Sequence, residues 1–332
     1  MRRWVEEHPV ALGLAIAGLL LLGLVLQEVA LDRFSLMRDQ PNVLMVFRIA
    51  ITHCLMAGYF PAAYYVLLRG TRRTVLELRE TLDPTDEDWS VDSAVRVTTR
   101  TLLVCCTIAL LASVAMPYLS TDLPPWDWAW WPPEVWWHRI LGVLTSLWIG
   151  AFFAGVIDTA AQTFRLADWI DVVDLLDLSV WSPFVKQGLL TSLLVIGGMS
   201  VQAARLYEPG ERVVLAISFG MTLPLALLGM WLPVRGAHRR IRQAKEAEIV
   251  RISDRIRQAR DALLGGPAAG QSAGPSDQMS GLIAYLQFIE RIPEWPFRPS
   301  TAVQFVLYLL IPVASWFGSV IIEALLDRIV RF

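Results

Sequence analysis

Pro9-Val10-Ala11-Leu12-Gly13-Leu14-Ala15-Ile16-Ala17-Gly18-Leu19-Leu20-Leu21-Leu22-Gly23-Leu24-Val25-Leu26 contains no charged residue. An α-helix needs about 20 apolar residues to cross about 30 Å of hydrocarbon. Extended to Leu31, this stretch has that length and is apolar around its whole circumference, unlike a helix with one face in water. It predicts a membrane-spanning helix over Pro9–Leu31. Met1-Arg2-Arg3 in front gives it the look of a secretory leader. Cleavage after Ala30, however, would put Glu28 where a signal peptidase takes a small residue. The expectation is a retained first span whose basic N-terminus lies in the cytoplasm.

Working outward, further spans are predicted at Val43–Leu68, Thr101–Leu119, Ile140–Phe164, Leu189–Ala204, Val213–Pro233 and Thr301–Leu325. The expected fold is all-α, a polytopic transmembrane helix bundle of about seven spans. The chain is 55% hydrophobic with a mean hydropathy of +0.48, against about 45–50% apolar residues in soluble domains. With the N-terminus inside, 21 of the 29 basic residues fall in cytoplasmic segments, seven fall outside, and Arg48 sits in a span. That asymmetry is what the positive-inside rule requires. Only Lys186 and Lys245 are lysines. Such an arginine excess points to a GC-rich bacterial genome, so the expected location is a bacterial inner (plasma) membrane, crossed several times.

The organisation read from these spans is a six-span region over 1–234, a cytoplasmic helical hairpin over 235–298, and a seventh transmembrane helix over 299–332. Two cytoplasmic segments, 70–100 and 165–188, read as amphipathic. In the first, Val75, Leu78 and Leu82 share a helical side, and the acidic turn Asp83–Asp88 lacks the spacing and glycine of a calcium loop. In the second, Asp168, Asp171, Asp174 and Asp177 recur every third residue between apolar side chains. On a helix this gives one acidic and one greasy face, and it is expected beside Arg239 and Arg242.

The hairpin is read from two apolar seams. Ile249, Ile252, Ile256, Ala259 and Leu263 make one; Met279, Leu282, Leu286 and Ile289 make the other. The Gly/Pro/Ser-rich stretch Gly265–Ser276 links them. Pairing within one chain is preferred to pairing between subunits. Ile292-Pro293-Glu294-Trp295-Pro296-Phe297-Arg298-Pro299 then reads as a stiff elbow into the last span. On the outer side, Pro124–Trp137 places six tryptophans in twelve residues among four prolines. It is expected to be a partly extended interfacial anchor, or alternatively an aromatic lid or docking surface.

Ionisable groups within spans are costly and mark either structural pairs or function. Arg48 and His53 on the second span, with Glu28 and Glu323 as an outer charge cluster, read as a structural ion-pair group or as an external gate. Asp158, in the fourth span about four turns from its outer end and with no basic residue at equal depth, reads either as an ion-path residue, joined by His53 and Arg48, or as a carboxylate a short snorkelling distance from the cytoplasm. Pro61, Pro117, Pro224 and Pro312 interrupt spans, as in transporters whose broken helices form substrate sites.

Several chemistries have no residues to support them. His53 is the only histidine inside a span, so paired intramembrane haem ligands are not expected. No lysine in a span can hold retinal, and Cys54, Cys105 and Cys106 all lie in spans, away from disulfide or zinc spacing. No phosphate loop or nucleophile elbow occurs, and a net charge of −2 gives nucleic acid no purchase. The expectation is not an enzyme and needs no metal or cofactor. It is a homo-oligomeric channel or transporter for small ions with the hairpin acting on its gate. The alternative is a membrane-embedded sensor or scaffold that recruits a cytoplasmic protein at 235–298.

Overall fold

The apolar runs fold as helices: α1 Pro9–Ala30, α2 Pro41–Leu78, α3 Thr99–Ser120, α4 Pro133–Leu166, α5 Ser182–Ala203, α6 Glu211–Leu264, α7 Pro275–Arg291 and α8 Ser300–Ile311. The computed structural model describes residues 4, 7–32, 41–78, 91, 95–120, 133–170, 173–203, 211–264, 275–296, 300–311 and 314. It is 92% helical, with no strand among the described residues. Among the described residues, four helices are long and apolar enough to cross a membrane: Pro9–Ala30, Phe47–Leu78, Ile140–Trp169 and Leu178–Gln202. The apolar parts of α3 and α8 are shorter, at Thr99–Ala115 and Ser300–Ile311.

The polarity of these helices is inverted relative to a water-soluble bundle. Leu14 and Leu19 of α1 are each 70% exposed, while Glu28 on the same helix is fully buried. Leu103 and Leu111 of α3 are as open as the α1 leucines, whereas Thr71, Thr145, Thr159, Thr163, Gln187 and Ser192 are buried. An outer surface of contiguous leucine and valine is unstable against water and is the natural surface against lipid.

Small residues bring the helices together, as van der Waals packing in lipid favours. α1 and α2 cross where Gly13 and Ala17 meet Gly58 and Ala62; a Cβ on Gly13 would lie 2.7 Å from Ala62 Cβ and from Gly58 O. α3 and α4 cross at Gly150, where a Cβ would fall 2.6 Å from Cys106 Cα. α4 is the centre, packing on α2, α3 and α6, while α5 packs mainly on α6 and α2. The bundle core joins Phe60 and Leu67 of α2, Phe152 and Val156 of α4, Val195 and Ile196 of α5, and Ala226 of α6.

Some boundaries differ from the sequence reading: α4 opens at Pro133 and α5 at Ser182, each about two turns before the predicted span. α2 does not stop at Leu68 but continues to Leu78, so Val75 and Leu78 belong to the same helix and are buried together; Leu82 and the acidic turn lie outside the described residues. Pro61, Pro224 and Pro233 are contained in α2 and α6 without ending them. A proline removes one backbone bond, and the tertiary contacts on either side hold the helix through it. Pro312 lies outside the described residues. α6, in line with the unbroken run read from the sixth span to about Leu264, is one helix of 54 residues, about 80 Å long at 1.5 Å per residue. The predicted sixth span and the first arm of the predicted hairpin are thus a single rod.

Candidate functional site at the junction of bundle and hairpin

A second core forms where α6 leaves the bundle. Val75 and Leu78 from α2, Leu166 from α4, Ala167 and Ile170 after it, Trp181, Phe184 from α5, and Ala237 and Ile241 from α6 are buried against one another. Gly236 permits this, since a Cβ there would lie 2.8 Å from Phe164 O. Two arginines on the next turn fasten the segment after α4. Arg239 pairs with Asp168 and lies 4.7 Å from the centroid of the Phe164 ring, and Arg240 donates to Ile170 O.

The same α6 turns also hold the elbow that follows α7. Lys245 Nζ donates to Glu290 O at 2.8 Å and to Ile292 O at 2.9 Å, and lies 3.6 Å from Glu294 Oε1. Its residue exposure is only 8%. The ammonium therefore closes the C-terminal end of α7, where unpaired carbonyls and the helix dipole favour a cation. His238 Nδ1 lies 3.0 Å from Glu294 O, and its ring stacks on Trp295 at 4.0 Å between centroids and 6° between planes. Further along, Ile252 packs with Ile289 and Ile292, flanked by Ile249, Ile256 and Leu286. Contacts at 238–294, 245–290 and 252–289 fall in reverse order, so α6 and α7 run antiparallel.

The aspartate stripe does not form a helical acidic face. Asp168 lies in a 3-10 turn, residues 173–177 are non-helical, and Asp171 lies outside the described residues. Asp174 accepts from Leu176 N at 2.8 Å and Asp177 from Ser179 N at 2.9 Å. Aspartate satisfies nearby backbone donors more readily than it continues a helix, and the threefold period here is a period of turns. The Ser179 hydroxyl and backbone N–H hold the Asp177 carboxyl below the usual carboxylate range. Arg242, expected beside the stripe, bonds instead to Glu246 one turn along α6 at 2.7 Å, which pushes its guanidinium pKa up. Of the expected neighbours among the described residues, Asp168 and Arg239 meet.

Asp158 has a partner that the spans did not suggest. Its Oδ2 accepts from Thr98 N at 2.6 Å and its Oδ1 from Thr101 Oγ1 at 3.0 Å. One turn on, Gln162 Nε2 donates to Arg96 O at 2.8 Å. α4 therefore caps the N-terminus of α3 with a carboxylate from another helix, which matches the α3 dipole. A carboxylate in a span calls for a basic partner, whereas the partners here are a backbone N–H and a hydroxyl.

His53 Nδ1 lies 2.9 Å from its own-helix Ile49 O. A carbonyl only accepts, so that nitrogen carries the proton. Arg48 is half-buried on α2. Glu28 lies one turn beyond Leu24, which packs with Ala50 and Cys54 of α2 and Leu141 of α4. Glu323 lies outside the described residues, as do 126–132 of the tryptophan-rich segment. Residues 133–137 open α4, with Pro133 at the first helical position, where its missing N–H costs nothing.

Most buried hydroxyls of the bundle donate to the carbonyl four residues back in their own helix: Thr71 to Leu67, Thr159 to Gly155, Thr163 to Thr159 and Thr191 to Gln187. Gln187 and Ser192 bridge between helices, to Thr71 Oγ1 and Ala226 O. Among the described residues no three His, Cys, Asp or Glu side chains gather as metal ligands. Comparison with known family models, curated proteins and solved structures finds no match for this chain.

Proposed function

We propose that this chain is a multi-pass inner-membrane protein acting as a membrane-embedded scaffold or sensor, with α6–α7 as a cytoplasmic hairpin that recruits another protein. The observation that carries this reading is the double grip on α6 between Ala237 and Lys245. Those turns hold both the segment after α4 and the elbow after α7. A position set in the membrane bundle is thereby passed through a rigid rod to a projecting hairpin. Asp158, Gln187, Ser192 and the buried Thr71, Thr159, Thr163 and Thr191, by contrast, serve a cap, interhelical bridges and intrahelical bonds. Asp158, the residue first assigned to an ion path, is engaged in capping α3.

A second reading, an oligomeric channel or transporter for small ions, draws support from Glu28, a carboxylate fully buried in an apolar helix. Such a group in a membrane span is expensive and commonly functional. Ion flux into liposomes reconstituted with the purified protein separates the two, using imposed gradients of monovalent cations and of anions. The scaffold reading expects no protein-dependent flux when folding and insertion are verified. Flux that Glu28→Gln abolishes would replace it with the channel reading.

A further inference from the structure

Val173-Asp174-Leu175-Leu176-Asp177-Leu178 joins the junction to the hairpin without belonging to either. Both its ends are anchored. Arg239 and Arg240 hold Asp168 and Ile170 O ahead of it, and Trp181 behind it is 1% exposed in the junction core. Between these anchors, Leu175 and Leu178 each pack against two cores. They touch the junction core of Trp181, Phe184 and Ile241 and also the hairpin core of Ile252, Ile289 and Ile292. Leu176, which stands between them, is 68% exposed. The local backbone is satisfied from within, since Asp174 accepts from Leu176 N and Asp177 from Ser179 N. Among the described residues, no hydrogen bond or ion pair ties 173–178 to α6 or α7. The attachment to the hairpin is apolar side-chain contact alone.

A segment held in this way can leave the hairpin without stranding a buried polar group, which is the usual penalty for opening a contact. What it uncovers is the apolar seam of α6 and α7 around Ile252, Ile289 and Ile292, flanked by Ile249, Ile256 and Leu286. We propose that 173–178 is an autoinhibitory strap, covering the surface on which the hairpin receives an amphipathic helix of another protein. The proposal rests on the scaffold reading above and adds to it the recognition surface and the kind of partner. The strap itself shows what the seam accepts. Its two packed leucines are three residues apart, the spacing at which a helix presents two side chains on one face. A partner helix with leucines at i and i+3 would offer the same pair to the same isoleucines, laid along the two antiparallel helices as an apolar helix face lies in a groove. Strap and partner then compete for one seat.

The test uses the full chain in detergent and a fluorescent peptide copying residues 173–181, read by anisotropy, with a scrambled peptide of the same composition as control. L175A/L178A should bind the peptide at least about tenfold more tightly than the wild type, whose tethered strap competes at an effective concentration of about millimolar. In the same variant, amide exchange at 249–256 and 286–292 should be faster by about tenfold, because two partly buried leucines are gone, while 187–200 is unchanged. L176A alters the exposed leucine and should match the wild type in both readouts. If the double variant fails to fold, L175A and L178A singly, each expected at about threefold, carry the test. Equal peptide binding by wild type and variant, absence of binding to both, or unchanged exchange in the hairpin overturns the strap. Equal binding of the scrambled peptide overturns it too, as general greasiness. Flux abolished by Glu28→Gln would overturn the scaffold reading whatever the peptide does, whereas a protein without flux and without peptide competition loses the strap alone.

Discussion

Asp158 and Lys245 have opposite charges, and each ends on the terminus of a neighbouring helix: the carboxylate on the N-terminus of α3, the ammonium on the C-terminus of α7. Both match the helix dipole they face. Asp158→Ala should therefore cost about 1 kcal/mol of stability, the usual value of a lost cap, while Asp158→Asn keeps most of it; thermal unfolding in detergent reads the difference. Lys245→Met leaves the carbonyls of Glu290 and Ile292 without their donor and should cost about 2 kcal/mol. Hydrogen exchange should rise at 286–296 and stay unchanged in α5. Asp177 gives a pH dependence. Its carboxyl is depressed in the folded chain, so its contribution is complete above the unfolded value of about 4 and is lost as pH falls through the folded value. Exchange protection of the 178–181 turn should weaken on acidification, and Asp177→Asn should remove that dependence. Lys245 could have been found in the sequence: it lies on the same helical stripe as Ile241 and Ile252, where a charge needs a partner. The Asp158 partners could not, since which helix start lies beside residue 158 is a tertiary fact.

At the scale of elements, apolar length and glycine spacing did most of the work. The stretches around α1, α4 and α5 are legible because they are predominantly apolar over a membrane-crossing length, and four helices among the described residues reach that length. The end of α2 was misread, and the continuation of α6 into the basic segment was read correctly, for one physical reason. Polarity changes at the membrane surface, but helix propensity does not, so an Arg-rich segment such as Arg239-Arg240-Ile241-Arg242 prolongs the helix that enters it. The aspartate segment failed in the other direction, because a threefold period fits turns as well as helices. Glycine then decides how closely elements approach. Gly13→Leu or Gly58→Leu puts a side chain where the partner backbone already is, and should cost about 1–3 kcal/mol or separate α1 from α2. Gly18, on the same helix, faces open space. Gly18→Ala should be neutral or stabilising by up to about 1 kcal/mol through propensity. Equal losses at Gly13 and Gly18, measured by thermal unfolding in the same detergent, would remove the close crossing.

The whole molecule has separate cores in series: the bundle around Phe152, the junction around Trp181, and the hairpin around Ile252 and Ile289. α6 runs through all three, yet the hairpin shares little packing with the bundle. Damage to one end should therefore stay at that end. Ile252→Asp with Ile256→Asp buries two carboxylates in the seam and should unfold the hairpin, since each uncompensated charge costs several kcal/mol. Deuterium uptake across 249–292 should approach that of unstructured peptide, while 145–163 and 187–200 remain protected. Because Ile252 meets Ile289 and Ile292 of its own chain, the mass of the protein in detergent should not change. A halved mass would mean that the seam joins subunits, and the hairpin would then be an assembly device. Loss of protection throughout the bundle would mean that α6 folds as one cooperative unit, and the idea of a rod carrying position from membrane to hairpin would lose its separable ends.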